Sequence, residues 1–399
     1  MLTNILKATH EQTKTHNKRL VLKTIYDHSS SSRADVARWT GLTRPTVSST
    51  VTELIAEGLV EEVGQGQSDG GKPPILLRVV DGARQIIGID LANSEFRGAV
   101  TDLRGQVIHR VSLPVHDQDG QAALALVYAL CDQLLPAATS PVLGIGIGTP
   151  GLIHAQKGVV RKAVNLDWAD LPLRDLVAKH CGLPVYIAND SHVAALGEYI
   201  FGQKRKTPNL VVVKVGRGVG AGIVLHGRLY HGDDSGAGEI GHVRVVEGGS
   251  HCRCGHDGCL ETVTSSQAIV KQARILAQDN PHSLLWQFAP TLDAVTTDVV
   301  LQAFQAGDPA LPPLIAEVGH YLGIALAHLV GALNIQKIVI AGSVARFGPS
   351  LQRAIEQEMR TRAMSLLAEK TKVEISPLAQ DIVILGAAAL LLTHEFGLT

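Results

Sequence analysis

Residues 238–262 read Gly-Glu-Ile-Gly-His-Val-Arg-Val-Val-Glu-Gly-Gly-Ser-His-Cys-Arg-Cys-Gly-His-Asp-Gly-Cys-Leu-Glu-Thr. Cys252, Cys254 and Cys259 lie within eight residues of one another, and His242 precedes the first cysteine by ten residues. Three thiolates and an imidazole make a donor set that suits a tetrahedral Zn²⁺ ion. The stretch therefore predicts a zinc site, and we expect the rest of the polar chemistry to be arranged around it.

Two carboxylates, Glu239 and Glu261, stand on either side of the cysteine cluster in the sequence. A metal loop bracketed in this way predicts that the loop positions a polar binding site beside the metal. His251 and His256 lie in the same stretch. We interpret both as surface residues rather than as further ligands.

The composition of the whole chain is that of an ordinary soluble globular protein. Of its 399 residues, 45% are hydrophobic, 18% are charged and 4% are aromatic, and the formal net charge is -1. This length predicts two or three domains. Five cysteines, three of them clustered, do not resemble a secreted disulfide framework. The N-terminus lacks an apolar signal core, and no charge-free apolar run reaches the length of a membrane span, so we expect a cytoplasmic protein.

Residues 1–82 carry the signals of a helix-turn-helix unit. Apolar residues at helical spacing predict a helix over 17–28, and Ser32 can cap a second, short helix. A turn at 40–43 contains glycine, and a third helix is predicted over 44–57. This order of elements is typical of DNA-binding domains in which the last helix enters the major groove.

The third of these helices has two distinct faces. Its apolar face consists of Val47, Val51, Leu54 and Ile55. The opposite face carries small polar side chains, which suit the edges of DNA bases. We therefore predict that Arg44, Thr46 and Ser49 contact DNA.

Two strands, predicted over 58–63 and 75–79, form a wing with Lys72 near its glycine-rich tip, where it could approach phosphates. Residues 1–50 hold eight Lys or Arg against three acids, which favours the same partner. A helical bundle used for dimerisation is the alternative interpretation of this region.

The remaining residues alternate strands and helices, which is typical of α/β domains. Strands are predicted over 85–91, 97–101, 107–113, 142–147 and 184–190, with a helix over 122–135; a second lobe follows with strands at 210–215, 222–225 and 337–341 and helices from about 265 and over 313–333. The strand at 184–190 ends in Asn189 and Asp190, at the edge where α/β sheets usually place their chemistry.

A glycine-rich segment at 215–222 has glycine at alternate positions. Such a loop can bring backbone N–H groups close to a phosphate. A plain turn between two strands explains the same glycines, and the sequence alone leaves both interpretations open.

The chain resembles the ROK family, which comprises bacterial sugar kinases and sugar-responsive repressors. The motifs that carry the resemblance are Gly-Ile-Gly-Thr-Pro-Gly at 146–151, Asn-Asp at 189–190, Gly-Glu-Ile-Gly-His at 238–242 and Cys-Arg-Cys-Gly-His-Asp-Gly-Cys-Leu-Glu at 252–261. The resemblance covers essentially the whole chain. It implies an α/β fold: a winged helix-turn-helix at 1–82, followed by a two-lobed, actin-like (ribonuclease H-like) ATPase fold with a zinc loop at 242–261.

The resemblance also implies domain boundaries and an assembly. Lobe I would span 83–188 together with a C-terminal helix at 386–397, and lobe II would span 189–385. A sugar would bind in the cleft between the lobes, and the protein would be a homodimer or a tetramer.

Carried over position by position, His242, Cys252, Cys254 and Cys259 match the family's zinc ligands. The matches to its sugar contacts are Asn165, Asn189, Asp190, Glu239, His242 and Glu261. Carboxylates and amides suit the adjacent hydroxyls of a sugar. One ring nitrogen of His242 could bind the metal while the other meets the sugar. Trp168 could stack on a sugar face, although a buried core tryptophan is the interpretation we favour.

Phosphoryl transfer requires a base and a cradle for phosphates. Asp190 matches the family's catalytic base, but the first phosphate loop has Ala92 where a glycine is usual, and the second has Arg217 where a small hydroxyl residue is usual. We therefore predict a sugar-responsive repressor of carbohydrate-metabolism genes rather than an enzyme. The alternatives are an ATP-dependent sugar kinase with a fused DNA-binding domain, and a cysteine cluster that itself binds nucleic acid as a zinc ribbon.

Overall fold

The computed structural model describes residues 9–28, 30–67, 73–91, 94–116, 118–202 and 207–397. Two residues singled out from the sequence, Lys72 and Ala92, lie outside the described residues.

The N-terminal region is a winged helix-turn-helix, as predicted. Its elements are α1 (His10–Asp27), β1 (Ser31–Ser32), α2 (Arg33–Thr40), α3 (Arg44–Ala56), β2 (Val60–Gln65) and β3 (Ile75–Val79). The strands form an antiparallel sheet in the order β1-β3-β2. Ser32 caps α2 in a capping box with Asp35, Gly41 ends that helix with a φ of 70°, and the side chain of Thr43 caps α3.

The predicted start of the first helix at residue 17 was wrong. Helix α1 begins at His10, because Thr9 and Gln12 form a capping box through two reciprocal hydrogen bonds of 3.1 and 2.9 Å. The first turns of this helix are polar and exposed, so apolar periodicity gives no signal for them.

The body contains two five-stranded sheets with the same strand topology. The elements around the first sheet are β4 (Gln85–Asp90), β5 (Glu95–Asp102), β6 (Val107–Pro114), α4 (Gly120–Leu134), β7 (Val142–Thr149), β8 (Leu152–His154), β9 (Val159–Ala163), β10 (Trp168–Leu171), α5 (Leu173–Cys181), β11 (Val185–Asn189) and α6 (Asp190–Phe201). The first sheet has the order β11-β7-β4-β5-β6, and β8, β9 and β10 form a small separate sheet.

The second half of the body follows the same plan. Its elements are β12 (Leu210–Val215), β13 (Val219–Leu225), β14 (Arg228–Tyr230), α7 (Glu261–Thr264), α8 (Ser266–Asp279), α9 (Leu285–Phe288), α10 (Thr297–Gln305), α11 (Leu311–Leu333), β15 (Lys337–Ala341), α12 (Pro349–Arg362), α13 (Ser365–Ala368), β16 (Lys372–Ile375) and α14 (Ile382–Phe396). The sheet order is β14-β13-β12-β15-β16. In each sheet an antiparallel meander of three strands is extended by two strands parallel to the first. This repeated arrangement is that of the two-lobed, actin-like fold that the resemblance implied.

Helices α6 and α14 pack against each other in the centre of the body. A Cβ at Gly386 would lie 1.8 Å from the carbonyl oxygen of Val193, and one at Gly146 would lie 1.9 Å from that of Ala387. These two glycines therefore let α14 lie directly against α6 on one side and β7 on the other. Gly146, the first glycine of the 146–151 motif, is thus explained by the close packing of α14 on β7.

The predicted glycine-rich loop over 215–222 is shorter in the structure. Strand β12 ends at Val215 and β13 begins at Val219, so only residues 216–218 connect them. Gly220 and Gly222 belong to β13, where a Cβ would meet Ser191 of α6 at 2.5 and 2.2 Å. Their absence of a side chain lets α6 approach the strand.

The winged helix-turn-helix shares a hydrophobic core with the body. Ala388, Leu391, Leu392 and Phe396 of α14 pack with apolar residues of α1 and α3 in one cluster. The hydroxyl of Tyr26 donates to the carbonyl of Leu103 at 2.7 Å, and Arg104 donates to the carbonyl of Tyr26 at 2.8 Å and pairs with Asp81 at 3.0 Å. The position of α3 is consequently tied to α14.

Two helical segments, Leu311–Leu333 and Ala379–Phe396, are long and apolar enough to cross a membrane by length and composition. More than half of an apolar 18-residue window in each segment is buried (56% and 61%). Burial of this kind is what core helices of a globular protein show.

Candidate functional site

Four side chains of the 242–261 loop converge on one point. The ligand atoms of His242, Cys252, Cys254 and Cys259 all lie within 4.8 Å of one another. The Sγ atoms of Cys254 and Cys259 are 3.6 Å apart, and Nδ1 of His242 is 3.5 Å from Sγ of Cys252. Tetrahedral zinc bonds of typical length require separations of about 3.8 and 3.5 Å, respectively. The donor set therefore fits a tetrahedral metal ion.

The backbone of the loop makes this convergence possible. The N–H of Cys252 donates to the carbonyl of His256 at 2.8 Å, which folds the segment back on itself. Gly258 has a φ of 71°, and a Cβ there would lie 1.7 Å from the carbonyl oxygen of Val246. Because only glycine permits this approach, Gly258 fixes where Cys259 presents its sulfur.

The environment of Cys254 favours the thiolate, which is the form that binds metal ions. Hydrogen bonds from the backbone and ring of His256 lower the pKa of Cys254 to about 6. His256 and His251 are both exposed, as predicted, and His251 pairs with Asp257 at 2.9 Å.

The second ring nitrogen of His242 faces a group of carboxylates. Its Nε2 lies 3.8 Å from Oε2 of Glu239. Burial raises the pKa of Glu239; the charge of His242 opposes this shift, and the carboxylates of Asp190 and Glu261 add to it. We call Asp190, Glu239 and Glu261 the acidic pocket. Carboxylates grouped in this way can accept hydrogen bonds from several adjacent hydroxyls of one ligand.

The acidic pocket is held by the start of α6. Asn189 caps this helix, because its side-chain oxygen accepts from the N–H groups of Ser191 and His192, and its amide nitrogen donates to the carbonyl of Gly151 at 3.0 Å. The second N–H of the Asn189 amide has no acceptor among the described residues and can donate to a ligand. Asp190 is the first residue of the helix, where its negative charge is stabilised by the helix dipole.

The structure adds Lys214, a residue that the sequence analysis missed. Its ammonium donates to Oδ2 of Asp190 at 2.8 Å, and both side chains are buried. Burial alone would lower the pKa of Lys214, but the charges of Asp190 and Asp90 and the hydrogen bond to Asp190 outweigh it, so the pKa is raised. Lys214 is therefore a buried cation bound directly to the Asp190 carboxylate.

A second carboxylate at the cleft is also paired with a cation. Nη2 of Arg97 donates to Oδ2 of the fully buried Asp90 at 2.6 Å. Asp90 ends β4, at the position where the resemblance places the first phosphate loop. Each of the two carboxylates is thus paired with one cation, Asp190 with Lys214 and Asp90 with Arg97.

Glu261 and Asn165 contact the cleft from different elements. Glu261, the first residue of α7, accepts from the N–H of Val219 at 2.9 Å. Asn165 is exposed and accepts a hydrogen bond from Arg253 of the metal loop.

Trp168 is buried, and its Nε1 donates to the carbonyl of Gly120 at 2.8 Å. It is a core residue, as favoured from the sequence.

The predicted DNA-contacting residues lie in the first two turns of α3. Arg44 and Ser49 are exposed, and Thr46 is partly buried. The hydroxyl of Thr46 lies 2.8 Å from that of Thr43, the residue that caps the helix. The opposite face, with Val47, is fully buried in the domain core, which leaves the polar face free for a partner.

Arg217, the last of the residues singled out from the sequence, lies in the 216–218 connection. It lines a cavity of about 980 Å³ between the two sheets, together with Asp90, Arg97 and Lys214. None of the three residues of the acidic pocket lines this cavity.

Family comparisons agree with this architecture. A model described as "ROK family" matches residues 86–394, and one described as "Winged helix-turn-helix DNA-binding" matches residues 14–61.

Similar proteins include both repressors and kinases. The chain is 34% identical to a xylose repressor from Caldicellulosiruptor bescii over 96% of its own length and 97% of that protein. It is also 34% identical to a glucokinase from Halalkalibacterium halodurans, over 78% of this chain and 96% of the kinase. A solved ROK family transcriptional regulator, described as a homologue of the Escherichia coli MLC protein, superimposes with a TM-score of 0.83 at 29% identity and covers 97% of this chain and 98% of that one. This chain therefore belongs to the ROK family.

Proposed function

We propose that this protein is a DNA-binding transcriptional repressor of carbohydrate-metabolism genes and that a sugar bound beside the metal loop is its effector. The observation that carries the proposal is the connection between the two sites. Helix α6 begins with Asp190 in the acidic pocket and packs on α14, and α14 shares a core with α1 and α3 of the winged helix-turn-helix.

The sugar would bind to the acidic pocket. Asp190, Glu239 and Glu261 accept hydrogen bonds from its hydroxyls, and the amides of Asn165 and Asn189 add a donor or an acceptor each. Nε2 of His242 faces the same space as Glu239. Xylose is the first sugar to test, since repressors of that name are 34%, 32% and 29% identical to this chain.

A zinc ion would be held by His242, Cys252, Cys254 and Cys259. When bound, it would supply a fixed anchor for the imidazole and would set which ring nitrogen is free. His242 would then present Nε2 to the sugar in one orientation. The metal loop has a structural role in this proposal and contributes no catalytic step.

The DNA contacts would come from Arg44, Thr46 and Ser49 of α3, with Lys72 on the wing. A homodimer or tetramer in the cytoplasm would place two such helices on one operator, so that half-site spacing follows from the dimer geometry. The sugar shifts this assembly only through different affinities for the DNA-competent and DNA-incompetent states, and such coupling is typically about 1–3 kcal/mol.

A DNA mobility-shift titration of the full chain tests the proposal. Xylose, glucose and N-acetylglucosamine are added in turn, and we expect one of them to weaken DNA binding at least about fivefold. Two variants separate the sites: Asp190→Asn should bind DNA without responding to sugar, and Arg44→Gln should bind sugar but not DNA. Unchanged DNA affinity across a broad sugar panel would refute the proposed induction.

A sugar kinase is the second candidate, and the 34% identity to a glucokinase favours it. Two ion pairs argue against it. A base must lose its ion pair before it accepts a proton, and Asp190 is bound to Lys214 at 2.8 Å. Arg97 occupies the Asp90 carboxylate that would otherwise be available to a metal ion.

A coupled ADP-release assay with ATP, Mg²⁺ and each sugar distinguishes the two candidates. We expect no turnover above that of the Asp190→Asn control. Sugar-dependent turnover that this substitution abolishes would establish the kinase instead.

A further inference from the structure

Two thiols of the body, Cys131 and Cys181, belong neither to the metal loop nor to the acidic pocket. Cys131 lies on α4 and is fully buried, whereas Cys181 is the last residue of α5 and is half-buried. Both cysteines are free. Because they come from different helices, the fold rather than the sequence brings them together.

The residues next to these cysteines hold α4 and α5 together. Nε2 of His180, which precedes Cys181, lies 2.7 Å from Oδ1 of Asp132, which follows Cys131. The ring of His180 also stacks on that of Tyr128, with the ring centroids 4.4 Å apart. Cys181 itself packs against the hydrophobic cluster that contains Cys131. The contact between the two helices is therefore centred on the two cysteines.

The two thiols differ in reactivity. A hydrogen bond with Cys131 lowers the pKa of Cys181, and the charge of His180 adds to this shift, while burial and the charge of Asp132 oppose it. The same hydrogen bond, together with burial, raises the pKa of Cys131. The thiolate is the nucleophilic form of cysteine. Cys181 is therefore both the more accessible and the more nucleophilic thiol, and Cys131 is a protonated thiol beside it.

We propose that Cys181 and Cys131 form a reversible disulfide when the protein meets hydrogen peroxide, with Cys181 as the reacting thiol and Cys131 as the resolving thiol. The inference does not depend on the proposed repressor function, because it rests on α4 and α5 alone.

The reaction takes place in two steps. The Cys181 thiolate attacks one peroxide oxygen, so that an S–O bond forms, the O–O bond breaks, and hydroxide leaves and takes up a proton to become water. The sulfur of Cys131 then attacks that of Cys181, so that an S–S bond forms, the S–O bond breaks, and hydroxide leaves as water with the proton of Cys131. Two thiols are oxidised to one disulfide, and one peroxide is reduced to two waters.

The disulfide would act on the sheet that carries part of the acidic pocket. Only residues 182–184 separate Cys181 from β11, the strand that ends at Asn189. A covalent bond to α4 restricts the movement of this short connection. Oxidation therefore fixes the start of β11 relative to α4.

Peptide mapping of the full chain tests this proposal. The folded protein, with Zn²⁺ added to protect the thiols of the metal loop, is treated with a small excess of hydrogen peroxide. The remaining thiols are alkylated, and the protein is digested with trypsin. Mass spectrometry should find peptides 111–157 and 180–204 joined by a disulfide, and treatment with dithiothreitol should separate them.

Two variants separate the roles of the thiols. Cys181→Ser should lose the cross-link and leave Cys131 reduced, because that thiol is buried. Cys131→Ser should also lose the cross-link, but the sulfenic acid of Cys181 should persist and be labelled by dimedone. Gln133→Ala, at an exposed position on α4, is the control and should keep the cross-link.

Cys181 is only half-buried, so its variant remains informative if Cys131→Ser folds poorly. The proposal would be overturned by a folded protein that forms no cross-link, or by a cross-link that appears only after unfolding in urea. A disulfide from either cysteine to the metal loop, or no dimedone label on Cys181 in folded Cys131→Ser, would overturn it as well.

Discussion

Lys214 separates two regions of opposite charge. On one side lies the acidic pocket, in which the carboxylates of Asp190, Glu239 and Glu261 can accept hydrogen bonds from a polyhydroxyl ligand. On the other side lies the cavity lined by Arg97, Lys214 and Arg217, which we call the basic cavity. Because Lys214 binds Asp190 and lines the cavity at once, one side chain belongs to both. The comparison teaches that each region contains a buried carboxylate held by a cation, Asp190 by Lys214 and Asp90 by Arg97.

The largest effect is expected when Lys214 itself is removed. Lys214→Met leaves the charge of Asp190 buried without its partner, and breaking a buried ion pair in this way typically costs about 3–5 kcal/mol of unfolding free energy. Urea unfolding followed by circular dichroism would measure the loss.

The double variant Lys214→Met/Asp190→Asn is the control for this prediction. It removes both charges, so most of the lost stability should return. If the double variant is as unstable as the single one, Lys214 stabilises the fold through packing alone, and the boundary between the two charged regions is not electrostatic.

Lys214 also shows where the sequence was insufficient. It is the only charged residue in the strand Leu210–Val215, which is a visible anomaly, because a charge in a buried strand needs a partner. The partner, Asp190, comes from another element, and sequence spacing does not reveal which carboxylate faces it. The motif positions, by contrast, could be predicted: the four metal-cluster residues are close in sequence, and their ligand atoms converge.

The second prediction concerns the metal. Cys259→Ser, or zinc removal with a chelator, should weaken sugar binding by about 10–100-fold, since His242 loses its fixed orientation. DNA affinity in the absence of sugar should not change. Both quantities can be measured on the same preparation, by calorimetry for the sugar and by mobility shift for the DNA.

Ser250→Ala is a control on the same loop, because the hydrogen bond of Ser250 to the described residues uses its backbone carbonyl, which accepts from the N–H of Gly258. It should leave sugar affinity unchanged. A direct loss of DNA affinity on zinc removal would instead support the zinc-ribbon interpretation, and intact sugar affinity without zinc would show that the acidic pocket does not depend on the metal.

The structural roles of the glycines in the two sheets could be predicted only in part from the sequence. Alternating glycines at 216–222 suggested one long loop, yet Gly220 and Gly222 are strand residues that face α6. Whether a glycine serves a turn or a close approach depends on which helix lies over it. The position of that helix belongs to the tertiary structure, and the local sequence pattern does not reveal it.

The third prediction compares carboxylates within the acidic pocket. Glu261→Gln keeps an oxygen that can accept from the N–H of Val219 but removes the negative charge. A hydrogen bond to a charged group exceeds one to a neutral group by about 1 kcal/mol, so sugar affinity should fall about fivefold. Calorimetry with the inducing sugar measures this, and DNA affinity in the absence of sugar should not fall. A parallel loss of both affinities would mean that Glu261 supports the fold rather than the ligand.

The last prediction concerns α3, and its expected effect is no larger than that of Glu261→Gln. Ser49→Ala removes one exposed hydroxyl from the predicted DNA face, and a single neutral hydrogen bond contributes about 1 kcal/mol, so DNA affinity should fall about fivefold. Ser48→Ala is the matched control, because Ser48 is also exposed but lies about 100° further around the helix. Mobility shifts at fixed salt would compare the two. Sugar affinity should stay at its original value in both variants, because both serines are exposed on α3 of the winged helix-turn-helix. If Ser48→Ala weakens DNA binding and Ser49→Ala does not, the helix faces DNA with a different register, and Arg44 and Thr46 would have to be reassigned with it.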